Sequence, residues 1–382
     1  MNINKNLEGV GGSLIRQQAA LVSQTPGVLN FTIGEPDMDT SDVIKDAMKQ
    51  ALDDNETHYA PTPGLNELHQ EIANYYDRRQ NMQLNPEQMI VTVGATEALT
   101  ATLGGIMNPG EKVIVPTPAF PQFMMIIKML GGEPVLVDTS DTDFKITPEV
   151  LAQTLENNPE TKAFLLNYPS NPLGASYSKA EISALADVLK QYDIMVISDE
   201  IYAELNFTDE DHYSIYNELP DQLVMIGGLS KSHAMTGFRI GFIHVPEKYY
   251  TPINVFHQGM VTTVSTPNQY AAIAAYRDGD AIVDENIEAF KRRNDLLRKR
   301  FGEIGLDLVE PKGAFYLFPA IPESYNGDDV KFTNDLFDAG IGVVPGSAFG
   351  PGGEGHIRLS YASKYEDLVE GMNRLEKFIK NL

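Results

Sequence analysis

The chain has 382 residues, with 29 Lys and Arg against 53 Asp and Glu, for a formal charge of −24. That acid excess argues against nucleic acid or an anionic membrane as partner, and the absence of cysteine excludes disulfides, thiolate zinc sites and iron–sulfur clusters. The hydrophobic 42% is spread along the chain without a run of about 18 apolar residues, and residues 1–8 carry no apolar signal core, so two packed domains, no membrane span and a cytoplasmic location are expected. The histidines, at 58, 69, 212, 233, 244, 257 and 356, show no HExxH spacing, so no metal site is expected.

The N-terminal segment shows no strong pattern before a helix at 42–52. From 89 onward, short apolar strands alternate with helix-like stretches. Strands are predicted at 89–93, 112–115, 134–137, 163–166, 194–197, 223–226 and 240–245. The helices between them fall at 97–107, 120–130, 148–156 and 179–191. This alternation predicts an α/β fold with a mostly parallel sheet covered on both faces. The C-terminal part reads differently. A long charged helix at 284–300 is followed by strands at 306–309 and 314–318, a helix at 330–339, a strand at 355–361 and a last helix at 365–380. A smaller α+β domain is expected there, with the N-terminal segment packed on it. The division is therefore 46–283 for the large domain and 1–45 with 284–382 for the small one.

The most informative stretch is Gly228-Leu229-Ser230-Lys231-Ser232-His233-Ala234-Met235-Thr236-Gly237-Phe238-Arg239-Ile240-Gly241. A lone loop lysine is ordinarily a surface charge. Here two apolar strands flank the loop, which places it at the sheet edge where α/β proteins bind ligands. A desolvated lysine there loses basicity and becomes an amine nucleophile. Three further strand ends carry loops of interest: Gly94-Ala95-Thr96-Glu97, Asn167-Tyr168-Pro169-Ser170-Asn171-Pro172-Leu173-Gly174 and Ser198-Asp199-Glu200-Ile201-Tyr202. Read alone, these are a helix cap with Thr96 as the capping hydroxyl, a proline-rich turn and a solvated acidic turn.

The run 228–241 matches the cofactor-attachment signature of the class-I/II pyridoxal-phosphate aminotransferases of fold type I, and the chain resembles that family over essentially its whole length. Within the family it looks closest to bacterial enzymes assigned to aromatic amino acids or to N-acetyl-diaminopimelate. The resemblance implies a seven-stranded, mostly parallel sheet in the large domain and a homodimer using pyridoxal 5'-phosphate. It implies that Lys231 holds the cofactor as a Schiff base and later carries the substrate proton. It gives Asp199 the pyridine nitrogen, Tyr202 and Asn171 the phenolic oxygen, and Phe120 the ring face. The phosphate falls to Ala95, Thr96, Ser230 and Arg239, with Tyr59 reaching across from the other subunit. Many relatives carry serine where this chain has Gly228, so one hydroxyl contact to the phosphate is lost.

On the substrate side, the resemblance gives the α-carboxylate to Arg358, in Arg358-Leu359-Ser360-Tyr361-Ala362, with Gly34 and Asn171 beside it. Gly34 would be glycine because a Cβ would crowd the amino acid. Residues 9–16 are expected near the site, with Arg16, Leu14 and Ile15 as side-chain contacts. The implied reaction is ping-pong transfer of an amino group from an aromatic or N-acetyl-diaminopimelate-like donor to a 2-oxo acid such as 2-oxoglutarate. A carbon–sulfur β-lyase would share these cofactor residues, and a non-catalytic regulator would need a DNA-binding domain for which this chain has no room. Gly350-Pro351-Gly352-Gly353-Glu354-Gly355 satisfies GxGxxG, but a strand rather than a helix follows it, so it reads as a loop.

Overall fold

The computed structural model describes residues 4–8, 14–208 and 210–382. In chain order its elements are α1 (Leu14–Ser23), β1 (Leu29–Asn30), α2 (Asp42–Asp53), α3 (Asn66–Gln80), β2 (Met89–Thr92), α4 (Gly94–Ile106), β3 (Lys112–Thr117), α5 (Gln122–Met129), β4 (Glu133–Asp138), α6 (Pro148–Asn157), β5 (Thr161–Asn167) and α7 (Lys179–Leu189). There follow β6 (Met195–Asp199), β7 (Leu223–Gly228), β8 (Gly241–His244), α8 (Glu247–Val261), α9 (Thr266–Asp278), α10 (Asp280–Ile304), β9 (Tyr316–Leu317), α11 (Asp329–Asp338), β10 (Ile341–Gly342), β11 (Val344–Pro345), β12 (Ile357–Ser360) and α12 (Tyr365–Ile379). Among the described residues no helix is long and apolar enough to cross a membrane.

Seven strands form one sheet in the order β2-β8-β7-β6-β5-β3-β4, and β8 alone runs against the others. The chain is α/β with a mostly parallel sheet. Its strands are short runs of Val, Ile and Leu because both faces are covered, and successive side chains feed opposite cores. Val113 and Val115 pack on the face of α4, α5 and α8, whereas Ile114 packs on the face of α3, α6 and α9. Leu165 and Phe164 divide in the same way, both buried. Truncating Leu165 to alanine would cost about 2–5 kcal/mol. Local signals set the helix ends: Ser178 and Glu181 form a capping box at α7, and Gly305 closes α10 at φ +83°.

A second core gathers Phe290, Leu297 and Phe301 of α10, Leu368, Met372 and Leu375 of α12, Phe31, Leu317 and Leu359. Spacings of seven and four put the three α10 residues on one helix face. The three-stranded sheet β11-β12-β9 lies here, and β1 pairs parallel with β10.

Some expectations fail. The strand at 306–309 is absent, and only Leu308 bridges to Pro319. Helix α4 starts at Gly94 rather than 97, so Thr96 lies inside its first turn and caps nothing. Helix α5 starts after Phe120. The patternless N-terminal reading overlooked α1, whose Val22 is its one buried residue.

Candidate active site

In a mostly parallel sheet the C-terminal strand ends share one edge, and the loops leaving them converge. The loops after β2, β3, β5, β6 and β7 carry Gly94–Thr96, Phe120, Asn171, Tyr202 and Lys231 to that edge, and Asp199 ends β6. A cleft of about 1160 Å³ opens there. Every residue given a cofactor or substrate role in the sequence lines it except Tyr59, which is 87% exposed. Leu14, Ile15 and Arg16 line it as well, and the rest of the 9–16 expectation, residues 9–13, lies outside the described residues. The ionisable groups lining the cleft include the bases Arg16, Lys231, Arg239 and Arg358 against the acids Glu35 and Asp199. The site is thus locally basic in a chain of charge −24.

Lys231 Nζ donates to the Gly34 carbonyl at 2.7 Å and lies 5.9 Å from the Tyr202 ring centroid and 5.7 Å from that of Phe315. Burial pushes its amine down to about 8, against the charges of Glu35 and Asp199, which pull it back up. Asp199 is 8% exposed and accepts from the Ile201 N–H at 3.2 Å. No Lys, Arg or His among the described residues forms an ion pair with it. Burial therefore pushes its carboxyl up to about 7, opposed by the Ile201 N–H and by Lys231. Its neighbour Glu200 turns away from the cleft, accepting from Ser198 and Ser214 at 2.7 Å each and pairing with His212 at 2.8 Å.

No side chain caps α4, so its first-turn N–H groups stay open. Gly94 has φ +74°, and a Cβ there would sit 2.6 Å from Arg239 Nη2. A Cβ on Gly241 would sit 2.8 Å from the Ala95 nitrogen, so the β8 start packs backbone to backbone on α4. Arg239 is held at φ +56° with Nη1 donating to Thr236 O at 2.9 Å and Nη2 to Val93 O at 3.4 Å. Gly228 has its own reason to be glycine: a Cβ would meet the Ile240 carbonyl at 2.8 Å.

Arg358, on β12, is 2% exposed and has no carboxylate partner among the described residues. Nη1 donates to Asn171 Oδ1 at 3.1 Å and Nη2 to the Thr32 carbonyl, while buried Nε has no hydrogen-bond partner. Its guanidinium lies 4.7 Å from the Tyr316 ring centroid. Tyr316 was missed in the sequence. Its hydroxyl is 2.8 Å from that of Tyr202, and a Cβ on Gly34 would overlap it. The expected crowding at Gly34 therefore involves Tyr316 as a matter of this chain's own packing. Nothing polar in the run Ala314–Phe318 marks that tyrosine, since its contacts come from residues far away in sequence.

These groups form a set that asks for ligands. A half-buried amine, a buried carboxylate without a cation and a buried guanidinium without an anion share one cleft with an uncapped helix start. Their chemistry fits pyridoxal phosphate, which brings an aldehyde, a basic ring nitrogen and a phosphate, and leaves the guanidinium for a second anion.

The comparisons agree. Residues 26–375 match the family model described as aminotransferase class I and II. A probable N-acetyl-LL-diaminopimelate aminotransferase of Bacillus subtilis is 41% identical over 99% of this chain and 95% of its own length. The aromatic-amino-acid aminotransferase 2 of Thermococcus litoralis is 36% identical over 100% of this chain and 99% of its own. The solved structure of Thermus thermophilus aspartate aminotransferase with maleate superposes with a TM-score of 0.93 at 32% identity, covering 99% of this chain and 100% of that one. With that match and the Lys231–Asp199–Arg358 set in one cleft, the chain belongs to the class I and II aminotransferases, pyridoxal-phosphate enzymes of fold type I.

Proposed function

We propose that the enzyme takes its amino group from a donor with a large side chain, aromatic or N-acetyl-diaminopimelate-like, and passes it by a ping-pong cycle to a 2-oxo acid such as 2-oxoglutarate. The observation that carries the reading is Arg358, a buried guanidinium without a carboxylate, in the same cleft as Lys231. It suits the α-carboxylate common to all donors and acceptors. The apolar wall of Leu14, Ile15, Ile33 and Phe120 favours a bulky side chain, and Arg16 on the same wall offers a distal carboxylate a partner.

When bound, pyridoxal phosphate supplies an aldehyde that captures amines and a ring that accepts electrons. In this proposal Ala95, Thr96, Ser230 and Arg239 hold its phosphate, and Phe120 its ring face. Tyr202 and Asn171 donate to its phenolic oxygen. Asn171 suits this role, because its Oδ1 is occupied by Arg358 and its amide N–H groups remain. Asp199 supplies a negative charge to the ring nitrogen, and that cation would in turn keep Asp199 ionised. Lys231 Nζ, lowered by burial to about 8 and so nearer the working pH than an ordinary lysine, is suited to take the proton from the substrate Cα and return it elsewhere.

We further propose a cytoplasmic homodimer in which Tyr59 serves the partner's phosphate. Tyr59, Val255 and Met260 are exposed apolar residues, and Thr263 and Thr266 side chains hold the 58–61 segment against the turn between α8 and α9. The two cores support a division near 46–283 against 1–45 and 284–382. Because Ile44 packs in the sheet core, all of α2 is counted with the large part.

The test is kcat/KM for phenylalanine, tyrosine, aspartate, glutamate and N-acetyl-diaminopimelate with 2-oxoglutarate as acceptor. Aspartate far ahead of the rest would overturn the donor assignment. Turnover without any 2-oxo acid would indicate lyase chemistry.

A further inference from the structure

Outside the cleft, one buried ion pair sits behind the open end of α4. His257 of α8 is fully buried, and Glu97 of α4 is 9% exposed. His257 Nδ1 lies 2.7 Å from Glu97 Oε1, and Nε2 lies 2.9 Å from the Thr62 carbonyl. With Glu97 as the carboxylate, both partners accept, and a ring that donates from both nitrogens is the imidazolium. Burial opposes that charge, but the bonds to Glu97 and Thr62 outweigh it and raise the pKa. The second oxygen of Glu97 accepts from the Val93 N–H at 2.6 Å, just before Gly94.

We infer that the His257–Glu97 pair positions the phosphate-binding start of α4 and locks it to the segment that carries Tyr59. This rests on the assignment of the phosphate to Ala95 and Thr96. Two features support it. First, Glu97 places a carboxylate in the first turn of the helix that would bind a phosphate dianion, and a cation beside it offsets that repulsion. His257 is that cation. Second, the 58–63 segment is held by its carbonyls. Thr266 takes that of His58 at 2.6 Å, Thr263 that of Pro61 at 3.0 Å, and His257 that of Thr62. The Pro63 carbonyl accepts from the Val91 N–H at 2.8 Å. Of these, His257 is the one bonded to both the helix start and the segment.

The pair also admits a variant that keeps the geometry and removes the charge. In Glu97→Gln, the amide oxygen accepts from Val93, the amide N–H donates to a neutral His257 Nδ1, and Nε2–H still reaches Thr62. In His257→Ala, Glu97 is left as an uncompensated carboxylate behind the phosphate.

The experiment titrates the full chain, freed of cofactor, with pyridoxal 5'-phosphate and with pyridoxal, which lacks the phosphate, and follows absorbance. His257→Ala should bind pyridoxal phosphate on the order of tenfold more weakly while pyridoxal changes little. Glu97→Gln should stay within about threefold for both, and adding Glu97→Gln to His257→Ala should recover part of the loss. Arg239→Gln is the reference, because it should lose phosphate selectivity whatever His257 does. Equal losses for both ligands in His257→Ala would mean general unfolding of the site and overturn the inference. So would an unchanged His257→Ala beside a weakened Arg239→Gln. No selective loss in Arg239→Gln would instead remove the phosphate assignment, and the inference with it.

Discussion

Replacing Arg358 with lysine keeps a positive charge and removes the fork. In the structure one arm of the guanidinium binds Asn171 Oδ1 at 3.1 Å, the other the Thr32 carbonyl, and Nε has no protein partner. A single ammonium cannot hold Asn171, Thr32 and both oxygens of a carboxylate together. A hydrogen bond to a charged group contributes about 1.5–3 kcal/mol, so losing one lowers kcat/KM by about 10- to 150-fold. Every donor and every oxo-acid acceptor has an α-carboxylate, so the fall should be similar for phenylalanine, aspartate and 2-oxoglutarate. The assay is kcat/KM for each substrate, with cofactor absorbance confirming that the variant is loaded. A loss confined to one donor would move Arg358 into the side-chain pocket, and no loss would put the carboxylate elsewhere.

Asp199→Ala should lower transamination by on the order of a thousandfold while cofactor absorbance persists, because its charge matters more as electrons gather than in binding. Unchanged turnover would refute the assigned cofactor orientation. Mixing Tyr59→Phe with Lys231→Ala subunits should give heterodimers with one intact site and more activity than either variant alone. If the mixture never exceeds them, Tyr59 acts within its own chain. In the cofactor-free chain burial holds Lys231 at about 8, below its unfolded value of about 10.4. Between those values the unfolded state binds more protons, so Lys231 makes stability rise with pH. Asp199, raised from 3.8 to about 7, makes stability fall as pH rises through that lower window. Urea unfolding at pH 8 and pH 10 should show a larger gain for the wild-type chain than for Lys231→Met, and equal gains would sink the linkage.

Much of the site was legible because its residues sit in loops directly after apolar strands. Strand periodicity put Lys231, Asp199 and Asn171 at one edge, and the family resemblance supplied their expected roles. What escaped depends on contacts across long stretches of chain. Tyr316 lies in a two-residue strand, and its partners are Tyr202, Gly34 and Arg358. Glu97 carried no mark of a partner in the sequence, because His257 is 160 positions away. Helix α3 was unmarked because its mean character is strongly polar, and α8 because Pro252 lies inside it. The 306–309 run looked like a strand by composition, yet it has one bridge to Pro319 and no continuous neighbour to pair with.

The groups that read amine, carboxylate and phosphate serve all amino acids alike, so donor choice must come from the remaining wall of the cleft. That wall is apolar at Leu14, Ile15, Ile33 and Phe120, with Arg16 as its basic member. On the proposed reading an aromatic ring would gain from the apolar part alone, whereas a donor with a second carboxylate would gain also from Arg16. Because Arg16 is exposed, a pair with it contributes at most about 1 kcal/mol. Arg16→Gln should therefore lower kcat/KM for N-acetyl-diaminopimelate by about two- to fivefold, leave phenylalanine unchanged, and do less as salt is raised. An equal loss for phenylalanine would show that Arg16 supports α1 rather than the substrate. No loss for N-acetyl-diaminopimelate would move the distal carboxylate away from this wall.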